Sequence, residues 1–121
     1  MKASIISIGN ELLNGSGIDT NSAYLSGKLL SIGIPVVTVH IVGDDCDDIA
    51  RALKEASEEV NIVITTGGLG PTDDDLTRQA ISKYCGKELV LDEKSLSDIE
   101  EFHFYQIFGL FLYRKYSLIK N

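Results

Sequence analysis

The stretch that decides the fold reads TTGGLGPTDDDLT and spans residues 65–77. An apolar run at 61–65 (NIVIT) precedes its glycines and a segment with apolar residues at helical spacing follows them, so the glycines lie between a predicted strand and a predicted helix. Such a loop lets backbone N–H groups approach an anion without obstruction by Cβ atoms. The pattern differs from the GxGxxG fingerprint and from the Walker A loop, which needs a following Lys-Ser or Lys-Thr. From the glycines alone, a structural turn and a ligand loop are equally favoured.

Strand and helix patterns alternate outward from this loop. Strands are predicted at 4–8, 34–42, 61–65 and 88–91, and helices at about 20–32, 44–60, 74–84 and 93–102, with a long loop at 10–20. Alternation at this spacing is typical of right-handed βαβ units in an open parallel sheet. The second strand, IPVVTVHIV, is apolar almost throughout, which predicts that it is covered on both faces.

Polar residues follow each of the first three predicted strands. Because the carboxyl ends of parallel strands meet at one edge of a sheet, we expect these residues to converge there. They are Glu11, Asn14 and Asn21 after the first strand, Asp44 and Asp45 after the second, and the glycine loop after the third. Each one alone is more often a cap or a loop residue than a ligand contact, so it is the convergence that favours a site.

Three consecutive carboxylates, Asp73, Asp74 and Asp75, follow the glycine loop. At a helix start they can cap the helix or complement its dipole. Beside a phosphate they would repel the ligand, unless a divalent cation lies between them or they accept hydrogen bonds from a neutral part of the ligand. The loop and the carboxylates together therefore predict either a metal or a polar heterocycle.

The composition predicts one globular domain, since 44% of the 121 residues are hydrophobic and 24% are charged. The formal net charge of −7 disfavours nucleic-acid binding. The amino-terminal apolar run is interrupted at Asn10 and Glu11, so it does not resemble a targeting segment, and Cys46 and Cys85 lack the spacing of a metal site. We expect a cytoplasmic location and no membrane partner.

The last twenty residues differ in composition from the rest of the chain. Seven of the nine aromatic residues lie at or after Phe102, and no acidic residue follows Glu101. The favoured interpretation is an irregular or truncated end that helps to cover the core. The alternative is a helix specialised for a partner or a membrane surface.

Four segments of the chain resemble the amino-terminal domain of the competence-damage-inducible CinA proteins. They are IGNELLNG at 8–15, DTN at 19–21, VGDD at 42–45 and the stretch at 65–77. That domain belongs to the wider molybdopterin-binding group of MoaB and Mog proteins. The resemblance covers residues 1–102 and leaves 103–121 as an aromatic tail outside the domain. Family domains continue further, so the chain is expected to be truncated at its carboxyl end, and a frame shift after Glu101 is one explanation.

The resemblance implies a Rossmann-like three-layer α/β/α fold with a mainly parallel sheet, and a small phosphorylated ligand, either a nucleotide or molybdopterin, at the edge described above. Asp44 and Asp75 are the implied catalytic residues and the implied ligands of a divalent metal ion such as Mg²⁺. The other implied ligand contacts are Glu11, Asn21, Thr66, Gly67, Gly68, Leu69, Gly70, Thr72, Asp73 and Asp74.

CinA-type proteins are associated with metal-dependent hydrolysis of ADP-ribose to AMP and ribose 5-phosphate, and this pyrophosphatase activity ranks first among the enzyme functions that the resemblance implies. The alternative is a non-catalytic molybdopterin-binding module, or a molybdopterin adenylyltransferase-like protein of molybdenum cofactor biosynthesis. A structural fragment is a third interpretation, should the tail prevent native packing. Because relatives commonly form oligomers, a homo-oligomer is expected. The amidase domain of long CinA proteins has no room in this sequence, so deamidation is not expected.

Overall fold

The computed structural model describes residues 1–98 and shows strands and helices in alternation. The elements are β1 (Ala3–Ile8), α1 (Asn10–Leu13), α2 (Thr20–Ser31), β2 (Val36–Val42), α3 (Cys46–Glu59), β3 (Ile62–Thr66) and α4 (Thr77–Cys85). The three strands are parallel and lie in the order β2-β1-β3. The prediction of a parallel sheet with helices on it is confirmed.

Strand β1 is the centre of the sheet, and all six of its residues are buried. Its Ile6 pairs with His40 of β2 and with Thr65 of β3, and its Ser7 pairs with Ile41 and Thr66. The three strands therefore end nearly in line. All of the connections that leave their carboxyl ends begin at one edge, which we call the carboxyl edge: residues 9–11, 43–45 and 66–70.

The hydrophobic core lies between one face of the sheet and helices α3 and α4. It is built from Ile6, Ile8, Ile49, Ala52, Leu53, Ala56 and Ala80. Helix α3 forms here because its apolar residues recur at helical spacing and because Asp45 caps its first turn, accepting hydrogen bonds from the N–H groups of Asp47 and Asp48 at 2.9 Å each. Complete burial of a side chain such as Ile49 contributes roughly 1.5–3 kcal/mol to the free energy of unfolding.

The other face of the sheet carries α2, which covers β1 but leaves part of β2 open. Ile5 and Ser7 on that face are fully buried, whereas Val37, Val39 and Ile41 are 47%, 42% and 44% exposed. The prediction that the second strand is covered on both faces is wrong within residues 1–98. Strand β2 is at an edge of the sheet there, and a single helix lies over this face.

Several boundaries differ from the predictions. The segment predicted as one loop at 10–20 contains α1, and the side chain of Asp19 caps α2. Helix α4 begins at Thr77, after residue 74, because Asp75 and Thr72 form a hydrogen-bonded turn instead. The predicted strand at 88–91 is wrong: these residues have no partner strand among those described, and an unpaired apolar run leaves its backbone groups unsatisfied in a strand.

The carboxyl-terminal predictions are covered only in part. Residues 93–98 are helical, as predicted for the start of the helix at 93–102. The rest of that helix and the aromatic tail lie outside the described residues. Among the helices of residues 1–98, none is long and apolar enough to cross a membrane.

Candidate functional site

The glycine loop lies directly against the end of β1. Gly67 has φ +93° and Gly68 has φ +59°, backbone conformations that favour glycine. A Cβ atom on Gly67 would come closer than 3.0 Å to the carbonyl oxygen of Ile8, and one on Gly68 would come closer than 3.0 Å to the hydroxyl of Thr77. Glycine at both positions is therefore a steric requirement of this fold.

Thr77, the first residue of α4, anchors the glycine loop through two hydrogen bonds. It is fully buried, its hydroxyl donates to the carbonyl oxygen of Gly67 at 2.8 Å, and its N–H group donates to the carbonyl oxygen of Gly68 at 3.3 Å. Both bonds use loop carbonyls as acceptors. Within residues 1–98, the N–H groups of Gly67, Gly68 and Leu69 donate to no protein acceptor. The loop is thus fixed by its oxygen atoms while three of its donors stay unused.

Asp75 holds the far end of the loop. Its Oδ2 accepts hydrogen bonds from the N–H group of Thr72 at 2.9 Å and from the Thr72 hydroxyl at 2.7 Å. A Cβ atom on Gly70 would lie 2.5 Å from the same oxygen, so the Asp75 carboxylate would have to move if this glycine were replaced. These bonds from Thr72, with a smaller contribution from the backbone of Gly70, hold the pKa of Asp75 below its ordinary value. The neighbouring Asp73 and Asp74 are exposed.

Asp44 joins the ends of β1 and β2. Its Oδ2 accepts a hydrogen bond from the N–H group of Asn10 at 3.0 Å, and its own N–H group donates to Oδ1 of Asn10 at 3.1 Å. This reciprocal pair fixes the Asp44 carboxylate at the carboxyl edge. Its Oδ1 accepts no hydrogen bond from any residue between 1 and 98, which leaves a lone pair available.

Two further predicted residues lie at the same edge. Asn21 donates from Nδ2 to the hydroxyl of Thr66 at 3.0 Å, which ties the start of α2 to the end of β3. The carboxylate of Glu11 lies over Gly9, where a Cβ atom would be 2.5 Å from Oε2. The predicted convergence of three strand ends at one edge is therefore present in the geometry.

The two predicted metal ligands, Asp44 and Asp75, lie on opposite sides of β1 at the carboxyl edge. Asp44 follows β2, and the glycine loop and Asp75 follow β3, with β1 between the two strands. Strands lie about 4.8 Å apart, so the ends of β2 and β3 are separated by about 10 Å. Within residues 1–98 no three His, Cys, Asp or Glu side chains form a group that could hold a metal ion. A cation here would need ligands from a bound phosphate and water, which is how Mg²⁺ is commonly held.

Sequence reasoning missed three residues that shape this site. Asn10 anchors Asp44, Thr77 anchors the glycine loop, and Arg78 lies beside the loop with its Nη2 3.4 Å from the carbonyl oxygen of Gly70. Their positions carried a signal, since Asn10 follows the first strand after Gly9, and Thr77 and Arg78 follow the acidic run after Leu76. Their partners lie far enough away along the chain that only the fold identifies them.

Comparison with known proteins gives the family. The family model described as "Probable molybdopterin binding domain" matches residues 4–113. A CinA-like protein of Thermosipho melanesiensis is 48% identical over 106 residues, covering 84% of this chain and 26% of the relative. A putative competence-damage inducible protein of Clostridium beijerinckii is 42% identical over 121 residues, covering all of this chain and 28% of the relative. The chain spans about a quarter of the length of these relatives.

Solved structures agree with the sequence comparison. The crystal structure of CinA from Thermoplasma acidophilum, a protein described as having unknown function, matches with a TM-score of 0.80 and 38% identity over 84% of this chain and 60% of that one. MoaB from Pyrococcus furiosus, described as a tungsten cofactor synthesizing protein, matches with a TM-score of 0.66 and 25% identity over 88% of this chain and 67% of that one. The predicted resemblance is confirmed: the chain belongs to the family of probable molybdopterin-binding domains that includes CinA-like, MoaB and Mog proteins.

Proposed function

We propose that this domain binds a small phosphorylated ligand, of the molybdopterin or nucleotide class, at the carboxyl edge. The observation that carries the proposal is the set of three N–H groups, of Gly67, Gly68 and Leu69, that donate to no protein acceptor within residues 1–98. Such N–H groups, on a loop that Thr77 anchors at the carboxyl ends of parallel strands, suit the oxygens of a phosphate. Membership of a family described as molybdopterin-binding supports the ligand class.

The rest of the edge suits the uncharged part of such a ligand. Asn21 and Thr66 form a polar pair with amide and hydroxyl groups that can also bond to a heterocycle or a sugar. Glu11 lies over Gly9 at the end of β1, and its carboxylate can accept hydrogen bonds from ring nitrogens. The proposed ligand therefore extends from the glycine loop across β1 towards these groups.

A divalent cation such as Mg²⁺ is part of the proposal. Asp44 has a fixed position and a carboxylate oxygen that accepts no hydrogen bond from residues 1–98, which suits a metal ligand. Asp75 is less suited to be a metal ligand, because its Oδ2 already accepts two hydrogen bonds from Thr72. When bound, the cation would polarise a phosphoryl oxygen and lower the pKa of a bound water. Asp44 and Asp75 would hold it together with ligand oxygens.

The finer proposal is hydrolysis of diphosphates of the ADP-ribose type. ADP-ribose is the substrate to test, and its hydrolysis would give AMP and ribose 5-phosphate. Carboxylates at an edge with a phosphate loop suit metal-assisted attack by water, and this is the activity that the resemblance to CinA-type proteins implies first. Binding without turnover, or adenylyl transfer to molybdopterin as part of molybdenum cofactor biosynthesis, are the other outcomes of the same experiment.

The test is isothermal titration calorimetry with ADP-ribose, AMP and molybdopterin, each with and without Mg²⁺, combined with chromatographic detection of AMP. Binding of at least one of these ligands supports the site, and AMP release from ADP-ribose supports hydrolysis. Binding without AMP release leaves a binding module or a transferase. Absence of binding by a folded chain would contradict the proposed function.

A further inference from the structure

The carboxyl edge is acidic, although its proposed ligand is an anion. Seven carboxylates lie between the carboxyl ends of the three strands and the helices α2, α3 and α4: Glu11, Asp19, Asp44, Asp45, Asp73, Asp74 and Asp75. Three backbone N–H groups supply only partial positive charges against them. Among the side chains of residues 1–98, Arg78 is the one basic group that forms a hydrogen bond with the glycine loop, from Nη2 to the carbonyl oxygen of Gly70.

Arg78 forms no ion pair with a carboxylate of residues 1–98, in contrast to Arg51 of α3 and Lys83 of α4. Arg51 forms an ion pair with Asp48 at 2.5 Å, and Lys83 forms one with Asp47 at 2.6 Å. No carboxylate of residues 1–98 lies within 4.0 Å of the Arg78 guanidinium. Asp75, three residues earlier, is near enough for the charge of Arg78 to make a small contribution to its lowered pKa, but the two side chains form no ion pair. The Asp75 carboxylate is instead bonded to Thr72.

The guanidinium of Arg78 is also incompletely bonded. Its contact with Gly70 is long at 3.4 Å, and its buried Nε finds no acceptor among the described residues. Arginine normally satisfies its five donors with planar, two-oxygen acceptors such as carboxylates and phosphates. A guanidinium that is near an anion-binding loop and weakly held by one carbonyl has donors available for a ligand.

We propose that the Arg78 guanidinium binds the phosphate of the ligand and supplies the part of the binding affinity that does not depend on a metal ion. This inference rests on the proposed function, because it assigns the phosphate to the glycine loop. The guanidinium moves from the carbonyl of Gly70 to the phosphate oxygens, which it binds through its Nη groups. Arg78 thereby distinguishes phosphorylated ligands from their dephosphorylated counterparts.

The test is calorimetric titration of the full chain with AMP and with adenosine, in EDTA and in Mg²⁺. Arg78→Gln should weaken AMP binding in EDTA by at least about tenfold, the usual effect of removing a charge-assisted hydrogen bond, and change adenosine binding less than about twofold. Arg78→Lys, which keeps the charge and loses the planar fork, should fall between Arg78→Gln and the unmodified chain. Thermal melting establishes that each variant is folded.

Arg51→Gln is the matched control, since it removes the same charge from a residue that is already paired with Asp48. An equal loss of AMP affinity in Arg51→Gln would overturn the proposal in favour of a general charge effect, as would an equal loss for AMP and adenosine. Undiminished AMP binding by Arg78→Gln would overturn the role of Arg78 alone. Absence of AMP, ADP-ribose and molybdopterin binding by the unmodified chain would overturn the proposed function together with this role.

An independent readout comes from the ¹⁵N resonance of Arg78 Nε during titration with inorganic phosphate, assigned by its loss in Arg78→Lys. A saturable shift is expected, because the guanidinium changes its partner. A resonance that does not move while the loop amides do would contradict the proposal and leave phosphate binding intact.

Discussion

Two strand-to-helix connections at the carboxyl edge have similar compositions and different structures. The β2–α3 connection contains a glycine followed by aspartates at 44 and 45, with two more aspartates at 47 and 48 in the first turn of α3. The β3–α4 connection contains three glycines followed by aspartates at 73–75. In the first, Asp45 caps the helix at once, and its carboxylate satisfies two N–H groups. In the second, the helix start is delayed to Thr77, and Asp75 bonds to Thr72.

The difference decides which connection can bind an anion. The capped start of α3 has its donors paired with a protein carboxylate, which also repels other anions. The loop before α4 is held by its carbonyl oxygens and by Thr72, and the N–H groups of Gly67, Gly68 and Leu69 have no acceptor among residues 1–98. Acidic runs after strands are therefore not equivalent, because the oxygen atoms of one run cap a helix and those of the other brace a loop.

The largest expected effect comes from filling the loop. Gly68→Ala forces a left-handed conformation on alanine and a clash with the Thr77 hydroxyl, so we expect a loss of about 2–4 kcal/mol in the free energy of unfolding and a loss of ligand binding. Gly86→Ala is the matched control, with φ +61° and no non-neighbouring atom of residues 1–98 within 4 Å of the new Cβ. It should cost about 1–2 kcal/mol and leave binding unchanged. Urea unfolding and calorimetry measure both quantities, and equal effects of the two variants would contradict the account.

The second prediction removes the anchor of the loop. Thr77→Val deletes the hydroxyl that donates to Gly67, so the free energy of unfolding should fall by about 1–3 kcal/mol and phosphate binding should weaken. Thr65→Val, on β3, is the control. If Thr77→Val bound AMP with undiminished affinity, the loop would not depend on this anchor for its binding geometry.

The third prediction separates the two aspartates. Asp45→Ala removes the cap of α3 and should cost about 1 kcal/mol in the free energy of unfolding, with ligand affinity unchanged. Asp75→Asn should have a smaller effect on unfolding and should weaken ligand binding, both by loosening the turn at Thr72 and by removing a charge available to a cation. The opposite pattern, with binding lost in Asp45→Ala and kept in Asp75→Asn, would reverse the assignment of the two connections.

The smallest expected effect is on the titration of the Asp75 carboxylate. Hydrogen bonds from Thr72 lower the pKa of Asp75, so this carboxylate contributes stability above its unfolded pKa of about 3.9, and the contribution is lost as the pH falls through the lower folded value. The carboxyl ¹³C resonance of Asp75 should titrate below the ordinary range. Thr72→Val should move the midpoint upwards, whereas an unchanged midpoint would show that Thr72 does not hold the carboxylate.

Much of the fold follows from local sequence. The buried run at β1, the Val-rich β2 and the amphipathic α3 each carry a clear period or apolar run, and their alternation is sufficient to predict the parallel sheet. The run at 88–91 has a similar apolar pattern and is not a strand, because a strand also needs a neighbour with which to pair. Exposure of Val39 likewise depends on the position of β2 at an edge of the sheet.

The candidate site was predictable in outline and not in its contacts. The order of strands brings Asp44, Asn21 and the glycine loop to one edge, as the sequence indicates. The partners of Asn10 and Arg78 depend on which strands are adjacent and on where α4 begins. An acidic run can cap a helix or accept hydrogen bonds within a loop, and the sequence does not distinguish the two. The predicted start of α4 is therefore three residues too early.

The central claim is that the unpaired N–H groups after β3 receive the phosphate, and amide NMR tests it most directly. In a ¹H–¹⁵N titration with AMP, the amide resonances of Gly67, Gly68 and Leu69 should shift saturably, while those of residues 45–48 at the capped start of α3 should stay in place. Saturable shifts confined to residues 45–48, or an absence of shifts at 67–69 when calorimetry detects binding, would contradict the account.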